Sequence, residues 1–233
     1  MISYIIPAIN EEATIGGVID RIREIDPEGE IIVVDSDSSD RTADIASSKG
    51  AIVVNESKRG YGYAYKRGFS VAKGDIICTL DADGTYPPSN VPLLLKALKA
   101  GADFVCGERL TGATREAMIP MHRAGNVILN LLTQILFIVN ITDSQSGMWL
   151  FRREILSHIL PEGTGMEFSE EIKIRAATQF CYVEIPIRYE RRISEKKLRP
   201  WKDGIRNLIY LFKLRITSGL RTSHFRCSLS SGL

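Results

Sequence analysis

The first half of the chain alternates short apolar runs with segments whose apolar residues recur every three or four positions. A short apolar run bounded by turn residues predicts a buried strand, and the i, i+3, i+4, i+7 spacing predicts an amphipathic helix. The first helix has this spacing from Ile15 to Ile22, and Asn10 is its expected N-cap. The predicted strands are residues 3–6, 30–34, 51–54 and 75–80. Such alternation with short connections predicts an α/β fold with a mostly parallel central sheet flanked by helices.

The second half of the chain contains longer apolar helices. We predict helices over residues 88–100, 121–141, 166–177 and 204–220, a strand over 103–107 and an extended segment over 182–189. Polar residues interrupt the longest apolar segment, 127–141, at Asn130, Thr133, Gln134 and Asn140. That segment is also shorter than the roughly 20 residues that a spanning helix needs. We therefore expect peripheral amphipathic helices and no spanning helix.

Two carboxylates one residue apart, Asp81 and Asp83, follow the fourth predicted strand. Side chains at i and i+2 of a strand point the same way, and open α/β sheets bind ligands at the carboxyl ends of their strands. Two carboxylates held this close repel each other unless a cation or a proton lies between them. Their oxygens suit Mg²⁺ or Mn²⁺. A strand end with an Asx turn and one solvated aspartate explains the residues equally well.

Composition and length limit the possible classes of protein. The chain has 233 residues, 44% hydrophobic and 25% charged, which is compatible with one α/β domain with or without an appendage. Its net charge is +2, but residues 189–226 contain eleven Lys or Arg and three acidic residues. This basic stretch favours an anionic partner such as a phosphate, a membrane surface or nucleic acid, although a solvated basic helix explains it too.

The four cysteines, at positions 78, 106, 181 and 227, form no CxxC motif. We expect all four to be buried free thiols in a reducing compartment. The first residues lack a basic n-region and run directly into Pro7, so we expect no signal peptide.

The glycine pattern excludes several nucleotide-binding classes. A dinucleotide-binding domain needs GxGxxG directly after the first strand, but here that loop begins at Pro7 without those glycines. A Walker phosphate loop is absent, as is the glycine- and arginine-rich loop expected of a sugar nucleotidyltransferase.

Eight short motifs in order along the chain carry a resemblance to a known family. They begin at Pro7, Val34, Arg59, Asp81, Gly107, Arg123, Asp143 and Arg192. The first four resemble family-2 glycosyltransferases with a GT-A fold, and the last four are similar to dolichyl- or polyprenyl-phosphate mannose and glucose synthases. The resemblance covers roughly residues 1–217. It implies a single domain with a nucleotide-sugar-binding half (1–107), an acceptor-binding half (108–217) and a C-terminal tail (218–233), for which we expect disorder.

The resemblance also implies roles for individual residues. Asp81 and Asp83 would bind Mg²⁺ or Mn²⁺. Nucleotide-sugar contacts would come from Pro7, Ala8, Asn10, Glu11, Asp35, Asp37, Arg59, Gly60, Asp81, Ala82 and Asp83. Catalytic roles would fall to Asp83, Arg109, Arg123 and Gln145, and acceptor-phosphate contacts to Arg109, Arg123, Asn126, Arg192 and Lys197. One departure is Thr85, which stands where several relatives carry a Gln in the metal shell.

The implied reaction is metal-dependent, inverting transfer of mannose or glucose from a GDP- or UDP-linked sugar to dolichyl or polyprenyl phosphate. A phosphate monoester, with a second pKa of about 6, is already an anionic nucleophile and needs positive charge more than a base. The alternative is a sugar or other hydroxyl acceptor with Glu167 as the base, although Glu167 could equally be a carboxylate favoured by a helix N-terminus. We expect peripheral association with the cytoplasmic face of a membrane and no nucleic-acid partner. The sequence leaves the sugar, the nucleotide and the oligomeric state open.

Overall fold

The computed structural model of the chain describes residues 1–110, 120–192, 200–218 and 227. These residues form a sheet flanked by helices. The strands are β1 (Ile2–Ala8), β2 (Glu30–Asp35), β3 (Ile52–Asn55), β4 (Ile76–Thr79), β5 (Phe104–Glu108), β6 (Trp149–Arg152) and β7 (Tyr182–Pro186). The helices are α1 (Ile15–Ile25), α2 (Thr42–Ser48), α3 (Tyr61–Val71), α4 (Val91–Lys99), α5 (Pro120–Phe137), α6 (Leu156–Ile159), α7 (Glu167–Gln179) and α8 (Pro200–Thr217).

The sheet has seven strands in the order β3-β2-β1-β4-β6-β5-β7. Only β6 runs antiparallel to its neighbours, β4 and β5, within the described part of the chain. The predicted mostly parallel sheet is therefore confirmed. The chain moves outward from β1 to β2 and β3 and then returns to β4 on the other side of β1. This reversal creates a switch point between the carboxyl ends of β1 and β4, where α/β sheets bind ligands.

Both faces of the sheet are covered. On one face the apolar stripe of α1, including Ile15 and Ile22, packs in a core with Tyr4 of β1. On the other face Tyr65 and Phe69 of α3 pack in a separate core against the remaining side chains of β1, β2 and β4. A third cluster joins α5, α7 and α8. Among the described residues, no helix combines the length and apolar character required to cross a membrane.

Two local expectations are wrong. Asn10 is not a helix cap, because α1 begins at Ile15 and the backbone of Asn10 is left-handed, with φ of 50°. Its side-chain oxygen instead accepts a 2.7 Å hydrogen bond from the Ser39 amide and so joins the loops after β1 and β2. The long apolar helix ends at Phe137 rather than near Ile141, since Ile138 also adopts a left-handed backbone, with φ of 53°.

The cysteine prediction is half correct. Cys78 and Cys106 are buried free thiols. Cys181 and Cys227 are bonded to each other instead of being free. They are 46 positions apart in the chain, so their spacing carried no signal of the pairing. Apart from Ser218 and Cys227, the predicted tail 218–233 lies outside the described residues.

Candidate active site

Asp83 follows β4 at the switch point and is almost fully buried, with 6% of its surface exposed. Its Oδ1 accepts hydrogen bonds from the Thr85 amide (3.0 Å) and the Thr85 hydroxyl (2.7 Å). The Asx turn considered above is therefore present, but Asp83 is not solvated. Because the turn uses Oδ1, it fixes the carboxylate and leaves Oδ2 to face the charged groups of the site.

Asp81 lies beside Asp83 in a crowded, polar environment. The Tyr61 hydroxyl donates to its Oδ1 over 3.3 Å. Gly147 packs so closely that a Cβ there would lie 3.2 Å from both Asp81 oxygens. Burial, followed by repulsion from Asp83, raises the pKa of Asp81 to about 7, against the opposing effects of Arg109 and Arg192. A pair of carboxylates in this state is stabilised by a nearby cation.

One cationic side chain, Arg192, contacts Asp83 and the neighbouring Glu11. Arg192 places Nη1 3.1 Å from Oδ2 of Asp83 and donates from Nη2 to Oε1 of Glu11 over 2.8 Å. The donor set is hard oxygen, which fits Mg²⁺ or Mn²⁺. Within the described ranges no cluster of three His, Cys, Asp or Glu forms a metal site. Asp81 and Asp83 fit a divalent ion, which would take its remaining ligands from water and substrate phosphates.

A second buried ion pair lies at the end of β5. The guanidinium of Arg109 binds both carboxylate oxygens of Asp143 at 2.7 Å, and the Arg109 amide donates to Oδ2 over 3.0 Å. The side chains are 9% and 0% exposed. Burial alone would raise the pKa of Asp143, but Arg109 outweighs it and lowers that pKa below its usual value. Arg109 also lies over the ring of Tyr189, 5.4 Å from its centroid.

The loop that carries Asp143 is held by two helices. Asn130 of α5 donates to the Thr142 carbonyl and accepts from the Ser144 amide at 2.9 Å, on either side of Asp143. Lys173 of α7 donates to the carbonyls of Asp143 (3.2 Å) and Ser144 (2.5 Å). The orientation of Arg109 thus depends on side chains from both α5 and α7.

The polar residues that interrupt the apolar sequence of α5 face inward. Gln134 donates to the Ile141 carbonyl at 2.8 Å. Thr133 donates to Glu170 of α7 at 2.8 Å, and burial raises the pKa of Glu170 to about 7. The opposite face of α5 and the adjoining face of α8 are apolar and exposed. Their exposed residues are Val127, Ile128, Leu131, Ile135, Ile138, Ile209, Phe212 and Ile216.

Most of the predicted nucleotide-sugar residues lie at or just after the carboxyl ends of β1, β2 and β4, whereas Arg59 and Gly60 lie between β3 and α3. Ala8 of β1 pairs in register with Asp35 of β2. Oδ2 of Asp35 accepts from the Ser38 amide at 3.1 Å, whereas its buried Oδ1 has no hydrogen-bond partner among the described residues. Pro7 is half-buried, Ala8 and Ala82 are buried, Asp37 and Arg59 are exposed, and Gly60 packs against the Thr164 carbonyl.

The predicted acceptor residues are only partly brought together. Gln145 accepts a 3.1 Å hydrogen bond from Asn207 of α8, and Asn126 lies half-buried on α5. Arg192 points toward the donor-side carboxylates and not toward Arg109. The side chain of Arg123 and the whole of Lys197 lie outside the described residues.

Three residues of the site had no predicted role. Asp143 belongs to a motif recognised in the sequence, but its bond to Arg109 joins positions 34 apart. Lys173 is fully buried on a helix whose sequence mixes charged and apolar residues without a clear stripe. Asn130 looked like an interruption of a hydrophobic pattern. Only the motif around Asp143 offered a signal that sequence reasoning could have used.

Comparison with known proteins identifies the family. Residues 3–160 match the family model described as glycosyl transferase family 2. The chain is 35% identical over 218 residues to the low-salt glycan biosynthesis hexosyltransferase of Haloferax volcanii, covering 90% of this chain and 52% of that protein. It is 35% identical over 206 residues to a dolichyl-phosphate hexose transferase of the same organism, covering 87% and 89%. The chain thus spans about half of the first relative and most of the second.

A solved structure agrees with the fold. Glucosyl-3-phosphoglycerate synthase of Mycobacterium tuberculosis, crystallised with Mn²⁺, uridine diphosphate and phosphoglyceric acid, superposes with a TM-score of 0.73 at 26% identity. The match covers 93% of this chain and 78% of that one. The chain has the GT-A fold and is a glycosyltransferase that belongs to glycosyl transferase family 2.

Proposed function

We propose that the protein transfers a mannose or glucose from a GDP- or UDP-linked sugar to dolichyl or polyprenyl phosphate, with inversion, in the presence of Mg²⁺ or Mn²⁺. The observation that carries this proposal is the double role of α5. Its inner face holds the loop of Asp143, which binds the buried Arg109, while its outer face is apolar and exposed. A lipid phosphate needs both a cation for the phosphate and an apolar surface for the chain, side by side.

The donor half, residues 1–107, supplies the nucleotide-sugar site. The unpartnered Oδ1 of Asp35 is a buried acceptor at the carboxyl end of β2, which suits a ribose hydroxyl. Asp81 and Asp83 would hold the divalent ion. When bound, such an ion offsets the negative charge that develops on the departing nucleoside diphosphate. The crystal structure of the M. tuberculosis enzyme with Mn²⁺ and uridine diphosphate supports this assignment.

The acceptor half, residues 108–217, orients a phosphate nucleophile. One phosphate oxygen attacks the anomeric carbon, a new carbon–oxygen bond forms, and the bond from that carbon to the nucleoside diphosphate breaks. The nucleoside diphosphate leaves with the bonding electron pair, and the acceptor needs no deprotonation because it is already an anion near neutral pH. Arg109 would position the phosphate, together with Arg123, Asn126 and Lys197, and Gln145 would lie near the sugar.

The exposed apolar face of α5 and α8 would lie on the cytoplasmic surface of the membrane. Basic side chains accompany it on α8, where Arg206, Lys213 and Arg215 are exposed. A helix with one apolar and one basic face is typical of interfacial binding to anionic lipids. The relatives named for dolichyl-phosphate transfer support the same location.

A hydroxyl acceptor remains the second candidate, with Glu167 at the start of α7 as the base. Its Oε1 accepts from the amides of Thr164 (3.2 Å) and Gly165 (2.8 Å) and from Arg206 (3.3 Å). Its Oε2 is buried and has no partner in the described structure. Three donors hold Oε1 in place, and the unpartnered second oxygen keeps this candidate open to test.

One assay separates these candidates. Purified protein is incubated with Mn²⁺ or Mg²⁺, a short polyprenyl phosphate and a panel of UDP- and GDP-sugars, and lipid-linked sugar is measured. We expect product with one donor, near-complete loss in Asp83→Asn, and full activity in the control Asp20→Asn, whose carboxylate pairs with Lys49 at the surface. Transfer only to soluble hydroxyl acceptors, with a large loss in Glu167→Gln, would refute the lipid-phosphate proposal.

Membrane binding is tested separately with vesicles that contain anionic lipid. The double variant Ile135→Ser and Ile216→Ser should sediment with vesicles much less than the unaltered protein does, because both side chains are more than half exposed on the proposed surface. Ile52→Ser on β3 is the matched control, since Ile52 is 45% exposed on a different part of the molecule. Equal binding by all three proteins would contradict the proposed surface.

A further inference from the structure

Arg192 joins two carboxylates that come from different strands. Glu11 follows β1 and Asp83 follows β4, and both are buried, with 5% and 6% of their surfaces exposed. Separate nitrogens of one guanidinium reach Oε1 of Glu11 and Oδ2 of Asp83, at 2.8 and 3.1 Å. The Arg192 side chain is itself 23% exposed. A buried acidic pair is thus neutralised by a cation that retains access to solvent.

The remaining oxygens of both carboxylates have structural partners. Oδ1 of Asp83 accepts twice from Thr85, and Oε2 of Glu11 accepts from the Thr14 hydroxyl at 3.3 Å. The Glu11 amide also donates to the Thr42 hydroxyl at 2.8 Å. Each carboxylate is therefore held in place by one oxygen and presents the other to Arg192. This arrangement orients two oxygens toward one cationic position.

We infer that Arg192 is a donor-site residue, and that its guanidinium occupies the cationic position on Asp83 until a divalent ion and a nucleoside diphosphate replace it. This inference rests on the proposed metal-dependent function. A divalent ion held by Asp83 would be repelled strongly by a guanidinium on the same carboxylate. On this inference, Arg192 leaves Asp83 when the ion binds.

The nucleoside diphosphate provides Arg192 with a new partner. Guanidinium groups pair well with phosphate oxygens, so the released side chain gains a charge-assisted contact as it loses the one to Asp83. The ion alone offers no such compensation. Arg192 thereby makes the affinities for the divalent ion and the nucleoside diphosphate depend on each other, and this coupling is reciprocal.

Direct binding of Mn²⁺, measured by titration calorimetry and by electron paramagnetic resonance, tests the inference without a sugar or a lipid. In the absence of nucleotide, Arg192→Gln should bind Mn²⁺ at least about tenfold more tightly than the unaltered protein, because the competing cation is gone. Arg192→Lys should show a smaller gain, since the ammonium keeps the charge but has one nitrogen in place of the two that reach Glu11 and Asp83. Addition of uridine or guanosine diphosphate should increase Mn²⁺ affinity less in Arg192→Gln than in the unaltered protein.

The matched control is Arg188→Gln, which removes the same charge from the same segment. Arg188 is 71% exposed and pairs with Glu190, so its loss should change Mn²⁺ affinity by less than about twofold. Circular dichroism verifies that each variant is folded. If Arg192→Gln binds Mn²⁺ no more tightly than the unaltered protein, the inference is overturned. If Arg192→Lys matches the unaltered protein, distant charge alone explains the effect, and the bridging role is overturned.

Failure of the proposed function has a different signature. If neither the unaltered protein nor Arg192→Gln binds Mn²⁺ with either nucleoside diphosphate present, the metal site itself is refuted. If both bind Mn²⁺ with equal affinity, the metal site stands and only the role of Arg192 is refuted.

Discussion

Replacing Asp143 by asparagine tests whether the buried ion pair with Arg109 organises the acceptor half. The side chains are 0% and 9% exposed, and two 2.7 Å hydrogen bonds join them. Removing one partner of such a pair leaves an uncompensated buried charge, which costs about 3–5 kcal/mol. That cost is a large fraction of the roughly 5–15 kcal/mol that stabilises a typical protein. We therefore expect Asp143→Asn to be folded but much less stable.

A double-mutant cycle isolates the interaction. Asp143→Asn, Arg109→Gln and the double variant are unfolded in urea, and the free energy of unfolding is extrapolated to water. Because the double variant leaves neither Arg109 nor Asp143 as an unpaired buried charge, its loss should fall short of the sum of the single losses by at least about 2 kcal/mol. The same cycle on Glu12 and Arg41, whose side chains are 42% and 77% exposed, should give less than about 1 kcal/mol. A coupling between Asp143 and Arg109 as small as that of the exposed pair would refute the reasoning.

Three further predictions concern other buried groups in the two halves of the site. Burial raises the pKa of Glu170 from its ordinary 4.5 to about 7, so the folded state binds more protons between those values. The free energy of unfolding should therefore fall by about 3 kcal/mol as pH rises through that window. Urea unfolding at pH 5 and pH 8 should show that this pH dependence is lost in Glu170→Gln. Asn130→Ala leaves the Thr142 carbonyl and Ser144 amide without that partner, so thermal unfolding should show a loss of about 2 kcal/mol; no loss would contradict the contact. Thr85→Val removes the hydroxyl bond to Asp83, and calorimetry with nucleoside diphosphate should show weaker Mn²⁺ binding, whereas Thr85→Ser should bind normally.

Local pattern was sufficient to predict the mostly parallel α/β sheet and the position of two carboxylates at its edge. Strand and helix periods report burial within a single element, and the order of elements decides which loops share an edge of the sheet. Asp81 and Asp83 directly follow a strand, so their position at the switch point could be predicted from the chain alone. The predicted mostly parallel sheet was confirmed for this reason. The glycosyltransferase activity and the family were predicted from the motifs and were confirmed by comparison with known proteins. The roles assigned to individual site residues remain predictions.

Tertiary structure decided which side chains from distant parts of the chain contact each other. Arg109 with Asp143, Arg192 with Glu11 and Asp83, and Cys181 with Cys227 join distant parts of the chain. Such pairs leave no periodic pattern in the sequence. Each is a single contact between two residues, and it depends on how whole helices and strands pack together.

The polar residues of α5 illustrate the same limit. In the sequence Asn130, Thr133 and Gln134 interrupt an apolar pattern, but in the structure they bind the loop before β6 and the buried Glu170. Sequence by itself determined that α5 is amphipathic and where the acidic pair lies. Only the packing of α5 against α7 and α8 decided that these polar residues are buried or half-buried beside Leu129 and Phe137, because a buried polar group is stable when neighbouring elements supply its hydrogen-bond partners.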